Sequence, residues 1–205
     1  MQKILFFFDF MSPYAYLAAQ RLPQLAERYG REIEYCPINL PKAKVAAGNT
    51  GPANRAIPIK HRHLRKDLQR WAELYGVPLV PPASYGSDRL NRGTFFAIDR
   101  GVEASYVLGA WHLIWGCGGG MQDGALMGEL CAKLGWNLEA FAAYADSPEA
   151  QERYAASQDR AHKLGVFGVP MICIDGEMWW GNDRLHFVEN YLAAHAGANR
   201  ERASV

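Results

Sequence analysis

The sequence predicts an α/β protein in which strands from both ends of the chain form one sheet and a long helical segment lies between them. Short apolar runs that are typical of buried strands occur at 4–8, 32–38, 171–174 and 177–180. Apolar residues between about 90 and 163 recur instead at steps of three and four, which indicates several helices. The predicted order is therefore strand, helix, strand, a helical block, and then two strands and a helix.

The first strand and the helix after it surround a short turn that contains Ser12. Ile4 and Leu5 precede three phenylalanines, and this apolar run is too short for a helix. Ser12 is suited to cap a helix that begins at Pro13, and Gly30 is suited to end it. One face of this helix carries Ala15, Ala18, Leu22, Leu25, Ala26 and Tyr29. Helix N–H groups and the helix dipole favour an anion beside the hydroxyl, although an isolated serine at such a position is more often only a cap.

The next stretch predicts a second strand, a loop and a basic helix. The strand over 32–38 completes a βαβ unit. Glycine and proline then break 40–55 into short turns, whose polar side chains are candidates for binding. The helix over 58–75 ends at Gly76 and carries a basic cluster at 60–66. That cluster suggests a phosphate or nucleic-acid patch, but the small net charge favours a solvated helix face or a subunit contact.

The middle of the chain predicts a proline-rich loop followed by capped helices. The loop covers 78–87, with Tyr85 near its end. Asp123, Asn137 and Ser147 each precede a helical pattern and are suited to be its N-cap. The tryptophans at 111 and 115 are four residues apart and are predicted to lie in the core.

The C-terminal part predicts a hairpin and a closing helix. The strands at 171–174 and 177–180 are joined by an Asp-Gly turn, and a helix follows from about 183 to 194. With the N-terminal βαβ unit, these elements match a thioredoxin-like fold with an all-helical insertion. Pro170 matches the cis-proline loop of that fold, which frees the backbone of Val169 to bond an extended peptide.

This fold divides the chain into a discontinuous domain and an insertion. The expected thioredoxin-like domain comprises 1–40 and 166–205, and the expected helical insertion comprises 41–165. The loop at the start of the insertion carries the polar residues that are candidates for binding.

Composition excludes several classes of function. The 22 Lys and Arg nearly balance the 21 Asp and Glu, which argues against a general nucleic-acid binder. No apolar run is long enough to span a membrane, and the N-terminal run is too short for a secretory signal. The cysteines at 36, 117, 131 and 173 have no close partner, so we expect reduced thiols in a cytoplasmic protein. His61 and His63 are two residues apart and do not share a helix face, so no metal site is expected.

Several motifs, taken together, resemble a known family. They are Asp9-Phe10-Met11-Ser12-Pro13-Tyr14, Lys44 with Gly48-Asn49, Gly51-Pro52-Ala53-Asn54-Arg55, Asp67-Leu68-Gln69-Arg70-Trp71, Phe167-Gly168-Val169-Pro170, and the run from Glu177 to Leu185. With these motifs nearly the whole chain resembles the bacterial 2-hydroxychromene-2-carboxylate isomerases, which are related to kappa-class glutathione transferases in the thioredoxin superfamily. Redox relatives carry Cys-x-x-Cys at the first motif. Ser12 and Ala15 stand there in this sequence, so the turn cannot exchange disulfides by itself.

The resemblance implies a glutathione site and an aromatic substrate pocket. Ser12 is implied to be the catalytic residue, facing the sulfur of glutathione and favouring its thiolate. Val169 is implied to bond the tripeptide backbone, and the residues implied to hold its glutamyl end are Trp180, Gly181, Asn182 and Asp183. The residues implied to line the pocket of a small aromatic carboxylate are Lys44, Asn54, Arg55 and Tyr85. The resemblance also implies a homodimer, and it assigns no function to the tail from about residue 197.

The residue chemistry agrees with these implied roles. Asn182 and Asp183 are predicted to open the last helix, where N–H groups bind a carboxylate and Asp183 accepts from an ammonium. Lys44 and Arg55 are able to pair with a substrate carboxylate. Without the resemblance, the first two would be read as helix caps and the last two as ordinary surface charges.

The implied activity is a glutathione-dependent isomerisation in naphthalene-type aromatic catabolism. It converts 2-hydroxychromene-2-carboxylate to trans-o-hydroxybenzylidenepyruvate. The cyclic hemiketal would first open to a benzylidenepyruvate with a cis double bond. Reversible addition of the thiolate to the benzylic carbon would make that bond single, so that it rotates before elimination of the thiolate restores it as trans. This chemistry needs a held thiolate and a stabilised enolate.

Three alternatives remain at this point. A kappa-type glutathione transferase would use the same cofactor site but would release a thioether product. A disulfide oxidoreductase is disfavoured because the sequence has no Cys-x-x-Cys. A non-catalytic glutathione-binding or assembly module is disfavoured by the presence of Ser12 and Lys44.

Overall fold

A mixed sheet of four strands forms the centre of the computed structural model, which describes residues 3–196. The strands are β1 (Ile4–Phe8), β2 (Ile33–Pro37), β3 (Met171–Ile174) and β4 (Glu177–Trp180), in the order β2-β1-β3-β4. β1 runs parallel to β2 and antiparallel to β3, and β3 runs antiparallel to β4. The predicted thioredoxin-like fold and its strands are confirmed. The tail beyond residue 196, to which no function was assigned, lies outside the described residues.

Both faces of β1 are buried, which explains why its sequence is apolar without alternation. Phe6 and Phe8 point to one face and pack in the main core with Trp111. Phe7 points to the other face and packs in a second cluster with Met171 and other residues. The second cluster is closed by residues of α3 (Leu40–Ala46) and α9 (Pro148–Lys163). A strand between two packed layers therefore lies at the centre of the molecule.

The helix predicted from Pro13 to Tyr29 is wrong in one respect, because the structure contains two helices there. α1 covers Pro13–Ala19 and α2 covers Leu22–Arg28. Pro23 stands in the first turn of α2, and inside a continuous helix its ring would clash with the carbonyl of Ala19. The predicted apolar face is nevertheless the buried one over both helices.

The helical block agrees closely with the predicted elements. Its helices and turns are a 3₁₀ turn at Asn54–Ala56, α4 (Pro58–Tyr75), α5 (Asp88–Ile98), α6 (Glu103–Trp111), a π-helical turn at His112–Gly116, α7 (Gly124–Leu134), α8 (Leu138–Ala145) and α9. Gly76 ends α4 in the left-handed conformation, as its position predicted. The side chains of Asp123, Asn137 and Ser147 each accept a backbone hydrogen bond at a helix start, so the three predicted caps are confirmed.

The last helix begins later than predicted. Asn182–Arg184 form a 3₁₀ turn, and α10 covers Leu185–Ala194. Asn182 and Asp183 therefore precede the helix instead of capping it. Leu185, Val188 and Leu192 of this helix are buried in the main core.

Three further expectations concern the cysteines, membrane-spanning helices and the division into domains. The cysteines at 36, 117, 131 and 173 are all free thiols, and only that at 117 is exposed. Among residues 3–196, no helix is both long and apolar enough to cross a membrane. The division into a domain of 1–40 and 166–205 and an insertion of 41–165 stays a prediction.

The buried position of β1 generates a stability prediction. Replacing Phe8 by alanine removes a ring that contacts Phe6, Phe10, Tyr35 and Trp111. We expect the free energy of unfolding to fall by about 3–5 kcal/mol, because the cavity adds to the lost burial.

Phe187→Ala is the matched control, because Phe187 is 48% exposed. Chemical denaturation followed by tryptophan fluorescence measures both variants. Equal losses of stability in the two variants would show that β1 is not the central packing element.

Candidate functional site

Ser12 occupies the N-cap of α1 and is buried. Its backbone is extended (φ −93°, ψ 112°), and its Oγ accepts a hydrogen bond from the N–H of Ala15 at 3.2 Å. Pro13 follows at the first helical position, as predicted. The hydroxyl therefore stands at the positive end of the helix, where an anion is favoured.

The loop before β3 brings Val169 against Ser12. The peptide bond between Val169 and Pro170 is cis, as the sequence pattern predicted. The Ser12 Oγ lies 3.5 Å from the carbonyl oxygen of Val169, although the two residues are 157 positions apart in the chain. At that distance the hydrogen bond is weak, so the hydroxyl is able to turn towards another acceptor. Two predicted glutathione contacts thus lie side by side.

The segment from Trp180 to Asp183 follows the edge strand and turns sharply. Trp180 is exposed, and its ring stacks edge to face on Phe167 with centroids 5.0 Å apart. Gly181 has a φ of 108°, and a Cβ there would collide with the carboxylate of Asp183. Asn182 is 2% exposed, and its Nδ2 has no hydrogen-bond partner among the described residues. A buried amide donor without a partner is uncommon, so an acceptor from a ligand would satisfy it.

Helix α4 connects the Ser12 turn to this segment. The hydroxyl of Tyr14, two residues after Ser12, donates to Asp67 of α4 at 2.6 Å. Further along α4, the hydroxyl of Tyr75 donates to the carbonyl of Asn182 at 3.5 Å. Burial raises the pKa of Tyr14 well above its ordinary value, and the hydrogen bond to Asp67 raises it further. Tyr14 is therefore a neutral hydrogen-bond donor at physiological pH.

A chain of aromatic contacts connects the predicted substrate residues to the Ser12 turn. The guanidinium of Arg55 lies 4.9 Å from the centroid of the Tyr85 ring, and Tyr85 packs edge to face on Trp115 at 6.3 Å. The Trp115 indole N–H donates to the carbonyl of Phe10 at 2.8 Å. The structure thus brings Arg55 and Tyr85 together. Both are connected to the Ser12 turn through Trp115, which is hydrogen-bonded to Phe10 of that turn.

Lys44 and Asn54 occupy separate places in the fold. Lys44 lies in the last turn of α3 and is half-buried. Asn54 lines a cavity of about 390 Å³, whose other lining residues are Ile59, Lys60, His63 and Leu64. Neither Lys44, Arg55 nor Tyr85 lines this cavity, so the structure brings the four predicted substrate residues only partly together.

Sequence reasoning missed two polar residues that organise the site. Asp9 is 1% exposed and accepts hydrogen bonds from the N–H groups of Met11 and Leu40. Asp67 holds Tyr14, as described above. Both residues stand inside motifs of the family resemblance, but their partners are distant in sequence, so the spacing carried no signal for these roles. No group of three or more His, Cys, Asp or Glu in the described part of the chain could hold a metal ion.

Comparison with known proteins gives one consistent result. The DSBA-like thioredoxin domain family matches residues 3–193. The 2-hydroxychromene-2-carboxylate isomerase of Pseudomonas putida is 43% identical, with 97% of this chain and 98% of the relative covered. A solved structure of a 2-hydroxychromene-2-carboxylate isomerase has a TM-score of 0.92 at 42% identity, covering 97% of this chain and 98% of that chain.

A second class of relative is more distant. A kappa-class glutathione S-transferase of Caenorhabditis elegans (kappa 2) is 26% identical, with 92% of this chain and 90% of the relative covered. The chain is therefore more similar in sequence to the isomerase of Pseudomonas putida than to this kappa-class transferase. The chain belongs to the DSBA-like thioredoxin domain family and, within it, to the family of 2-hydroxychromene-2-carboxylate isomerases.

Proposed function

We propose that this protein is a glutathione-dependent isomerase that converts 2-hydroxychromene-2-carboxylate to trans-o-hydroxybenzylidenepyruvate in naphthalene-type aromatic catabolism. The observation that carries the proposal is the contact between Ser12, a buried hydroxyl at a helix N-terminus, and Val169 in the cis-proline loop. It stands in a chain that is 43% identical to an isomerase of that name.

The residues present fit glutathione. Ser12 holds the sulfur, Val169 bonds the peptide backbone, and the residues that hold the glutamyl end are Trp180, Gly181, Asn182 and Asp183. The unpartnered Nδ2 of Asn182 supports this assignment, because a glutamyl carboxylate would supply the missing acceptor. When bound, glutathione supplies a thiolate that adds reversibly to a conjugated carbon and so lets a double bond rotate.

The chain's own groups supply the orientation and the charge for this reaction. Ser12 donates its hydroxyl hydrogen to the sulfur and favours the ionised form, which the first turn of α1 also favours. Lys44 and Arg55 bind the substrate carboxylate, and they offset the enolate charge that develops near it. Tyr85 holds the guanidinium of Arg55. Asn54, the neighbour of Arg55 in the chain, is assigned to the aromatic substrate as part of this proposal.

A kappa-type transferase that conjugates glutathione to electrophiles is the second candidate. The 26% identity to a kappa-class relative over most of the chain favours keeping it. The two activities differ in the fate of glutathione, which an isomerase regenerates and a transferase consumes.

An absorbance time course with 2-hydroxychromene-2-carboxylate, run with and without glutathione, tests the proposal. We expect turnover only with glutathione, and a thiol assay should find the glutathione concentration unchanged at the end. Stoichiometric loss of thiol would favour the transferase, and absence of turnover with glutathione would defeat the isomerase.

The proposal includes a cytoplasmic homodimer, which the family resemblance supports. Sedimentation at micromolar concentration should give about twice the mass of the 22.9 kDa chain. A monomer under these conditions would contradict the dimer without affecting the proposed chemistry.

Ser12→Ala should raise the pKa of bound glutathione by about 1 to 2, because a hydrogen bond to a charged group contributes about 1.5–3 kcal/mol. Turnover at neutral pH should fall sharply and should partly recover at higher pH. The ultraviolet absorbance of the thiolate, titrated in both proteins, measures this pKa directly.

Two outcomes would contradict this role of Ser12. An unshifted titration with lost activity would mean that the hydroxyl acts on the substrate. An unshifted titration with full activity would leave Ser12 as a helix cap only.

Lys44→Ala should weaken binding of the aromatic substrate more than binding of glutathione, because its proposed partner is the substrate carboxylate. The matched control is Lys42→Ala, since Lys42 lies on the same helix but is exposed. Calorimetry with each ligand measures both affinities. A selective loss of glutathione affinity in Lys44→Ala would place Lys44 in the cofactor site instead.

A further inference from the structure

The buried carboxylate of Asp9 joins the two loops that carry the proposed site. Its Oδ1 accepts hydrogen bonds from the N–H of Met11 at 3.1 Å, from Asn91 Nδ2 at 3.0 Å and from the hydroxyl of Ser87. Its Oδ2 accepts from the N–H of Leu40 at 2.9 Å. One side chain therefore attaches the loop after β1 and the loop after β2 to α5.

On one side, this network holds the turn that ends in Ser12. The N–H of Phe10 donates to Asn91 Oδ1 at 3.3 Å, and the N–H of Met11 donates to the Asp9 carboxylate. The N–H of Ser12 donates to the backbone carbonyl of Asp9 at 2.9 Å. The N–H groups of Phe10, Met11 and Ser12 are thus all bonded to Asp9 or Asn91, so these two residues help to set the position of the Ser12 hydroxyl.

On the other side, the same carboxylate holds the start of α3. Leu40 is the first residue of this helix, and Lys44 lies about one turn further along it. The N-cap residue Asn39 is attached to α5 through Asp88 at 2.9 Å and to α9 through Gln158 at 2.8 Å. A shift of Leu40 would therefore carry Lys44 with it.

A carboxylate suits this place better than any other side chain. Every group that faces it is a donor, and a carboxylate offers only acceptors. Burial raises the pKa of Asp9, while the surrounding hydrogen bonds favour its ionised form. Asparagine has nearly the same shape, but its NH₂ group would face at least one of these donors and lose that bond.

We propose that Asp9 is a positioning residue for the isomerase reaction, and that its carboxylate sets the separation between the Ser12 hydroxyl and the Lys44 ammonium. This inference rests on the proposed function, in which Ser12 contacts the glutathione sulfur and Lys44 contacts the substrate carboxylate. Displacing reacting groups by about 1 Å can cost about 100-fold in rate. If Asp9 only stabilised the fold, its replacement would leave the kcat of the folded protein unchanged.

Asp9→Asn tests the proposal because its effect on kcat can be measured separately from its effect on glutathione binding. We expect kcat to fall roughly 10- to 100-fold and the KM for 2-hydroxychromene-2-carboxylate to rise. The Kd for glutathione should change far less, because Val169 and the 180–183 segment hold the peptide. Steady-state kinetics and calorimetry give these values, with near-ultraviolet circular dichroism showing that the variant is folded at the assay temperature.

Phe141→Leu provides the matched control for lost stability. Phe141 is fully buried in the helical block, where its ring packs on Phe96, Tyr106 and Trp136, and none of its ring contacts in the described part of the chain is with a residue of the proposed site. This variant should be less stable but should keep the wild-type kcat. An equal loss of kcat in both variants, or a wild-type kcat in folded Asp9→Asn, would overturn the proposal.

Two milder variants decide the question if Asp9→Asn does not fold. Ser87→Ala removes one donor to Asp9, and Asn91→Ala removes another together with the acceptor for Phe10. We expect kcat to fall in both and to fall further in Asn91→Ala. Wild-type kcat in both variants would overturn the proposal.

A further measurement separates this inference from the proposed function. If the wild-type protein does not isomerise the chromene, the proposed function fails, and the thiolate titration of bound glutathione then decides the role of Asp9. A higher thiolate pKa in Asp9→Asn, or in Asn91→Ala where Asp9→Asn does not fold, supports the positioning role. An unchanged pKa overturns it, and absence of glutathione binding overturns both.

Discussion

The buried carboxylate of Asp9 is the interaction on which the arrangement of the site depends. A carboxyl group in a protein interior is costly unless it is hydrogen-bonded, and here backbone and side-chain donors from several elements converge on it. Satisfying that one group requires the end of β1, the start of α3 and the start of α5 to meet. Hydrogen bonding to this carboxylate therefore joins the segment that carries Ser12 to the segment that carries Lys44, as the proposed positioning role requires.

The turn at the start of α1 carries no thiol of its own. In a DSBA-like thioredoxin domain, the helix N-terminus favours a thiolate, and the same electrostatics acts on any sulfur placed there. Here the N-cap is Ser12 and the position three residues later is Ala15, so in the proposed function the sulfur arrives with glutathione. Helix α4 closes the same region, because Asp67 holds Tyr14 and Tyr75 holds the Asn182 backbone.

Local patterns predicted the elements well wherever one face or one cap controls them. The four strands, α4 with Gly76, and the caps Asp123, Asn137 and Ser147 all depend on residues near in sequence. Local patterns failed where two signals competed. The apolar face continued through Pro23 and predicted one helix, but proline geometry divided it in two. The apolar face of α10 likewise gave no sign that a 3₁₀ turn would precede it.

The sequence by itself determined the fold class, the hydroxyl in place of a thiol, and a chain of nearly balanced charge. Each follows from residue identity and short-range spacing. Only the tertiary structure decided that Ser12 meets Val169, that Arg55 stacks on Tyr85, and that Asp9 bonds Leu40. Those contacts join residues between 30 and 157 positions apart. Hydrogen bonds and ring contacts act over a few ångströms, so only the folded chain brings such partners within reach of each other.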